Sequence, residues 1–161
     1  MDTTRKQRFD AEAAQLGYDF SGKLLIGGNY SPAIRHGNTV HISGQVPRVG
    51  ETIVVTGEVG GGVTLERAQH AAAICAMRGL ALIAQAAGSL DAIDQMLTVR
   101  VYVRSAPDFT QQSEVANGAS DLIARVLGAA GTHVRTSVGV VQLPKGASVE
   151  VDMSAAVAAA R

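Results

Sequence analysis

The stretch HVRTSVGVVQLPKGASVEVDMSAA, residues 133–156, decides how this chain is read. Two alternating runs flank LPKGA at 143–147, whose proline and glycine are turn formers. The pattern predicts a closing β-hairpin over residues 133–157. In its second run Val149, Val151 and Met153 share one face, and Glu150, Asp152 and Ser154 share the other. An arginine, Arg135, stands in the first run, and Glu150 lies just past the turn.

Upstream, LTVRVYVRS at 97–105 alternates Val99, Val101 and Val103 with Arg100, Tyr102 and Arg104, the signature of a half-buried strand. Between it and the hairpin, residues 111–127 place Val115, Ala119, Leu122, Ile123 and Val126 on one helical face. Residues 65–87 carry the strongest helical period, through Leu65, Ala68, Ala72, Cys75, Gly79 and Ile83. Thr64 is placed to cap that helix, with Glu66 favourable in its first turn. Cys75 falls on the apolar stripe and reads as a small core residue. Residues 24–47 read as a hairpin about HGN at 36–38, with Val40 and Ile42 on one face and His41 and Ser43 on the other. Residues 48–63 read as a loop that has room for a short strand, and residues 3–16 as a short polar helix stopped by Gly17.

The expected order is helix, hairpin, helix, strand, helix, hairpin. It predicts an α+β two-layer sandwich, a mixed sheet with two main helices on one face. Residues 1–161 form one domain in this reading, with residues 1–20 as an N-terminal helical extension. The sheet face carrying Arg100, Tyr102 and Arg104 is left to solvent or to a partner subunit.

Composition narrows the function. The chain has 161 residues, 47% hydrophobic and 17% charged, enough for a globular core without disulfide or metal staples. Fourteen basic residues balance fourteen acidic ones, and aromatics make up only 4%. Neither a charge excess nor stacking residues point to nucleic acid or a membrane surface. A single cysteine precludes an intrachain disulfide and suits a reducing cytoplasm. The N-terminal residues show no apolar h-region, and no stretch reads as approaching the roughly 20 apolar residues of a membrane span.

Familiar catalytic motifs are absent. VGGGV at 59–63 lacks the context of a phosphate loop, and His36, His41, His70 and His133 lack metal-ligand spacing. No G-x-S-x-G elbow occurs. A small polar set remains: Tyr30, Ser43, Gly44, Asn117, Arg135 and Glu150. An arginine on a rigid strand suits a carboxylate, which its planar fork grips with two parallel hydrogen bonds. A nearby carboxylate would polarise water, and tyrosine and backbone N–H groups would orient a substrate. The competing reading is that Arg135 and Glu150 are exposed charges or a simple ion pair. Pairing about the LPKGA turn does not put them opposite one another, so folding or a neighbouring subunit would have to unite them.

GNYSPAIRHGNTVHISGQVP, residues 28–47, resembles the G-x-Y-S-x-A…SGQ-x-P signature of the RidA/YjgF/YER057c/UK114 family. VRTSVGVVQLPKGASVEVDMSAA resembles its closing arginine-to-glutamate motif, and the resemblance covers roughly residues 24–157. The N-terminal helix and the segment around Asn117 are similar to the longer YjgF-like branch. The resemblance implies a chorismate-mutase-like fold and a homotrimer with clefts between subunits. It implies hydrolysis of reactive 2-imino or enamine acids to 2-keto acids and ammonia, with no metal or organic cofactor. By that resemblance Arg135 binds the substrate carboxylate, Glu150 positions water and Tyr30 lines the cleft. Ser43, Gly44, Asn117 and Ser137 contribute to substrate binding. Ser137 stands where many members have cysteine, Pro32 replaces a usual glutamine, and Gly139 replaces a larger residue. Two alternatives stand beside imine hydrolysis: a non-catalytic binder of small carboxylates, which the same Arg135 would serve, and an endoribonuclease, described for some family members, which lacks a basic stripe, stacking aromatics and paired histidines here.

Overall fold

The longest helix forms where its capping signals place it. Described here for residues 3–159 from a computed structural model, the chain enters α2 (Leu65–Ala87) at Thr64, whose hydroxyl accepts a hydrogen bond from the Arg67 backbone N–H at 3.1 Å. Glu66 sits in the first turn, and Gly88 ends the helix in the left-handed conformation. Ile74, Met77, Leu80 and Ile83 are fully buried, each contributing about 1.5–3 kcal/mol of apolar burial. By length and composition α2 is apolar enough to cross a bilayer, contrary to the expectation from sequence. Its residues are mostly buried within the domain instead, packed on the sheet and on a second long helix.

That second helix, α3 (Gln112–Leu127), buries Val115, Ala119, Leu122, Ile123 and Val126, the face its periodicity predicts. It crosses close to α2 at Gly118, where a Cβ would lie 2.2 Å from the Gln69 carbonyl oxygen. The N-terminal helix α1 (Arg5–Leu16) opens with a capping box between Thr4 and Gln7. It is anchored by Arg125, whose Nε donates to Glu12 Oε1 at 2.6 Å, and by Arg8 Nε, which donates to the Val126 carbonyl.

The main sheet contains β1 (Ala33–His36), β2 (Thr39–Gln45), β5 (Ile93–Arg104), β6 (Val134–Val140) and β7 (Val149–Val157), in the order β1-β2-β7-β5-β6. A small ladder of β3 (Arg48–Val49) and β4 (Thr52–Ile53) lies in the segment read as a loop with room for a short strand. The first hairpin forms as expected, with Gly37 and Asn38 between β1 and β2.

The closing hairpin does not form. β6 runs parallel to β5 and β7 antiparallel to it, so β5 lies between the two strands expected to pair. The cause is non-local. α3 is a crossover that returns the chain to one edge of β5 in parallel, as a βαβ connection requires. Residues 141–148 then pass around the end of β5, where Ser105 N donates to the Val140 carbonyl and Arg104 N to the Ser148 carbonyl. The chain reaches the other edge as β7.

Both helices pack on one sheet face, giving the α+β architecture expected. Val99, Val101 and Val103 meet Val149, Val151 and Met153 on that side, all buried. The other face carries Arg100 and Tyr102, both bonded to Asp152, at 3.1 and 3.0 Å. Val134 and Val138 of β6 are exposed.

Candidate functional site

The polar residues singled out from sequence fall into two separate groups. The first surrounds a cavity of about 190 Å³ between the 25–30 segment, the end of β2, the turn before β7 and Glu150. Tyr30, Gly44 and Glu150 all line it.

A β-bulge creates this arrangement. Ile42 pairs with Met153 and Gln45 with Val151, so Ser43 and Gly44 together oppose the single residue Asp152. Glu150 leans across the bulge onto Gly44. A Cβ at residue 44 would lie 1.9 Å from Glu150 Oε1, so the carboxyl occupies the space that any other residue would fill. Burial is the main reason the Glu150 carboxyl holds its proton more tightly than an ordinary carboxylate, and the Asp152 charge adds to it. Among the described residues Glu150 forms no ion pair.

Ser43 is not part of the cavity lining. Its hydroxyl and carbonyl oxygens both accept from the Gln45 side-chain amide, at 3.2 and 3.0 Å. It belongs to the frame beneath the pocket. Gln45 in turn accepts from Arg78 Nε at 3.1 Å. Arg78 was missed in the sequence reading, yet it is a guanidinium inside the apolar helix α2, only 3% exposed.

The second group stands on the β6 edge. Arg135 Nη1 donates to Asn117 Oδ1 at 2.8 Å and to Ser120 Oγ at 3.1 Å, both on α3. Its Nη2 donates to Ser113 Oγ and to the Ser113 carbonyl, at 2.9 and 3.2 Å. Asn117 and Arg135, both members of the polar set singled out from sequence, are thus in direct contact. Ser137 sits two residues along β6, on the same face as Arg135. Ser120 also hydrogen-bonds His133 Nε2 at 2.9 Å, while His133 Nδ1 lies 2.6 Å from the Gly131 carbonyl. With Nδ1–H donating to the Gly131 carbonyl and Nε2 accepting the Ser120 proton, Ser120 Oγ keeps its lone pairs for Arg135 Nη1. No acidic residue pairs with Arg135 among the described residues.

The two groups do not meet within one chain. Arg135 registers with Val99 on the helix-covered face, whereas Glu150 registers with Tyr102 on the open face. β5 separates their strands. The simple ion-pair reading of Arg135 and Glu150 is thereby excluded within a protomer.

Cys75 is fully buried, and its Sγ–H points to the Val149 carbonyl at 3.8 Å. Burial pushes its thiol pKa far up, outweighing the opposing charge of Arg78, so it is core and not a nucleophile.

A family model described as Endoribonuclease L-PSP matches residues 23–157. The chain belongs to this family, the RidA/YjgF family. Among RidA/YjgF relatives, protein TCP17 of Trypanosoma cruzi is 39% identical over 153 residues, spanning 94% of this chain and 96% of that protein. The crystal structure of Atu1372 from Agrobacterium tumefaciens, a protein of unknown function, is 38% identical. It superposes with a TM-score of 0.84 over 96% of this chain and 95% of its own. A Shewanella oneidensis protein superposes with a TM-score of 0.86 over 96% of this chain and all of its own, at 22% identity, and shares the fold.

Proposed function

We propose that this RidA/YjgF protein hydrolyses 2-imino acids, or their enamine tautomers, to 2-keto acids and ammonia in the cytoplasm. The reaction site in this reading is an inter-subunit cleft of a homotrimer. The Arg135 group of one protomer faces the Tyr30–Gly44–Glu150 group of the next. The observation that carries the reading is the separation itself: an arginine held without an acidic partner on one edge, and a carboxyl of raised proton affinity in a pocket on the opposite sheet face.

Each step uses a group already placed. Arg135 grips the substrate carboxylate, exchanging its Nη2 bonds to Ser113 for charge-assisted bonds and using its Nε–H, which is not engaged among the described residues. Asn117 and Ser120 keep hold of Nη1 and so fix the plane of the fork. Glu150 takes a proton from water as the water oxygen attacks the C=N carbon and passes it to the nitrogen, giving a carbinolamine. It then takes the remaining hydroxyl proton as the C=O forms and delivers it to the nitrogen, so the C–N bond breaks and ammonia leaves. Its raised proton affinity suits both transfers. Tyr30 orients the substrate from the pocket wall. Imines hydrolyse unaided, so most of the acceleration comes from positioning.

The test is release of ammonia and keto acid from freshly generated 2-iminobutyrate and bulkier 2-imino acids. Wild type accelerates it, and Arg135→Ala loses about 10- to 100-fold in kcat/KM, the value of a charge-assisted hydrogen bond or two. Acceleration by neither protein would leave a carboxylate-binding role and remove the enzymatic one. The endoribonuclease reading rests on the family's description. RNA binding that weakens steeply with salt would support it, against a balanced formal charge and few aromatics.

A further inference from the structure

The pocket beside Glu150 contains more positive charge than imine hydrolysis needs. Arg48, Arg78 and Lys145 line it together with a single carboxylate, Glu150. Arg78 donates to the Gln45 side chain, the Arg48 carbonyl and the Leu25 carbonyl, at 3.1, 2.9 and 2.7 Å, all neutral acceptors. Among the described residues no carboxylate pairs with Arg78, Arg48 or Lys145. A guanidinium does not shed its charge on burial, so Arg78 is a nearly buried cation without a counter-ion. Arg48 Nε is buried with no hydrogen-bond partner among the described residues. Lys145 adds a third sign of function. It is the one non-glycine residue with positive φ among those described, at 57°. Backbone held in that region is a strained choice that recurs at ligand sites. It sets the Lys145 side chain against Gly27, whose Cβ position would lie 3.8 Å from Lys145 Cε.

We propose that this pocket binds a second acidic group of the substrate, so that the preferred substrates are 2-imino dicarboxylates. The inference rests on the imine-hydrolase reading and refines it: Arg135 takes the α-carboxylate, and Arg48 and Lys145 take the side-chain carboxylate. Arg78 supplies field and holds the walls together. A cavity of about 190 Å³ has room for a short carboxylate arm.

Product analogues of equal chain length isolate the effect. 2-Oxopentanedioate and 2-oxopentanoate differ only in the terminal carboxylate, and calorimetric titration reads both dissociation constants on the intact protein. Wild type binds the dioate about tenfold more tightly or better, the size of one charge-assisted hydrogen bond. Arg48→Met collapses the ratio of the two constants, and Lys145→Met, at an exposed site where folding is not at stake, reduces it. Equal affinities in wild type, or a ratio that survives both substitutions, would overturn the proposal. Binding of both acids that depends on Arg135 but shows no dioate preference would remove the anion pocket and keep the Arg135 anchor. A dioate preference dependent on Arg48 but indifferent to Arg135→Ala would do the reverse. Binding of neither acid would overturn both.

Discussion

The β6 edge and the β2–β7 pocket solve opposite packing problems. At the edge, Arg135 is tied to α3 by four hydrogen bonds, so a charged side chain is held rigid by polar neighbours. At the pocket, Glu150 has its place by subtraction: a bulge and a glycine leave a hole, and the carboxyl lies in it. The first arrangement resists loss of one partner because others remain. The second depends on a single missing Cβ. Binding residues supported by several contacts are expected to weaken gradually under mutation, and those defined by space to fail abruptly.

Mixing two impaired variants gives the largest effect. If each cleft takes Arg135 from one protomer and Glu150 from another, Arg135→Ala loses about 10- to 100-fold and Glu150→Gln about 10²-fold or more, the latter for loss of a general base. Unfolded and refolded together at equal amounts, they form mixed closed rings with one intact cleft each and recover about a quarter of wild-type activity. No recovery, with mixed assemblies present, would place both residues' action within one protomer and break the comparison outright.

Gly44→Ala comes next. The added methyl meets Glu150 Oε1 at 1.9 Å, so the carboxyl swings out of the pocket or the bulge shifts. Overpacking of this kind costs about 1–3 kcal/mol. The expected result is a lower Tm and loss of most 2-iminobutyrate turnover, with carboxylate binding at Arg135 retained. Wild-type kinetics in Gly44→Ala would show that Glu150 does not need its place over the bulge.

Asn117→Ala tests the other side. It removes one of four bonds to Arg135, so the expected change is a severalfold rise in KM with kcat little affected. A loss as large as that of Arg135→Ala would mean that Asn117 touches the substrate itself.

Legibility in the sequence follows the same division between local and non-local causes. Thr64, Glu66 and Gly88 mark α2 because capping chemistry acts within a few residues. The alternation of Val99, Val101 and Val103 marks β5 because burial has a period of two. The hairpin reading of residues 133–157 fails because two alternating runs about a turn look the same whether they pair with each other or with a strand inserted between them. The insertion is made by β5 and α3, which lie before the motif. Arg135 and Glu150 were visible as residues, and their place on opposite faces was not, because it depends on that insertion. Gly44 and Glu150 are 106 positions apart, and no spacing rule links them. Arg78 left one usable trace: a charge in the middle of the apolar run CAMRGL, which in a buried helix demands partners.

The smallest effect probes what sets the proton affinity of Glu150. Burial raises it first, and the Asp152 charge raises it further. Asp152 is itself held by Arg100 and the Tyr102 hydroxyl on the open face. Asp152→Asn removes the negative charge; its amide oxygen still accepts from Arg100, while its NH2 can only donate, to the Tyr102 hydroxyl oxygen. A neighbouring anion favours the protonated carboxyl, so its removal lowers the Glu150 pKa toward the ordinary glutamate value. If Glu150 must be ionised to accept the water proton, activity falls as pH drops through its pKa. The acid limb of the kcat/KM profile in Asp152→Asn therefore moves to lower pH than in wild type, while the plateau at higher pH changes little. A limb that stays in place would assign it to another group, and a limb that moves upward would mean that Asp152 acts on Glu150 by holding its surroundings and not by its charge. Arg135 stands on the far face, bound to Asn117 and Ser120 and not to Asp152, so the substitution leaves its contacts in place and the limb reads the pocket side of the site.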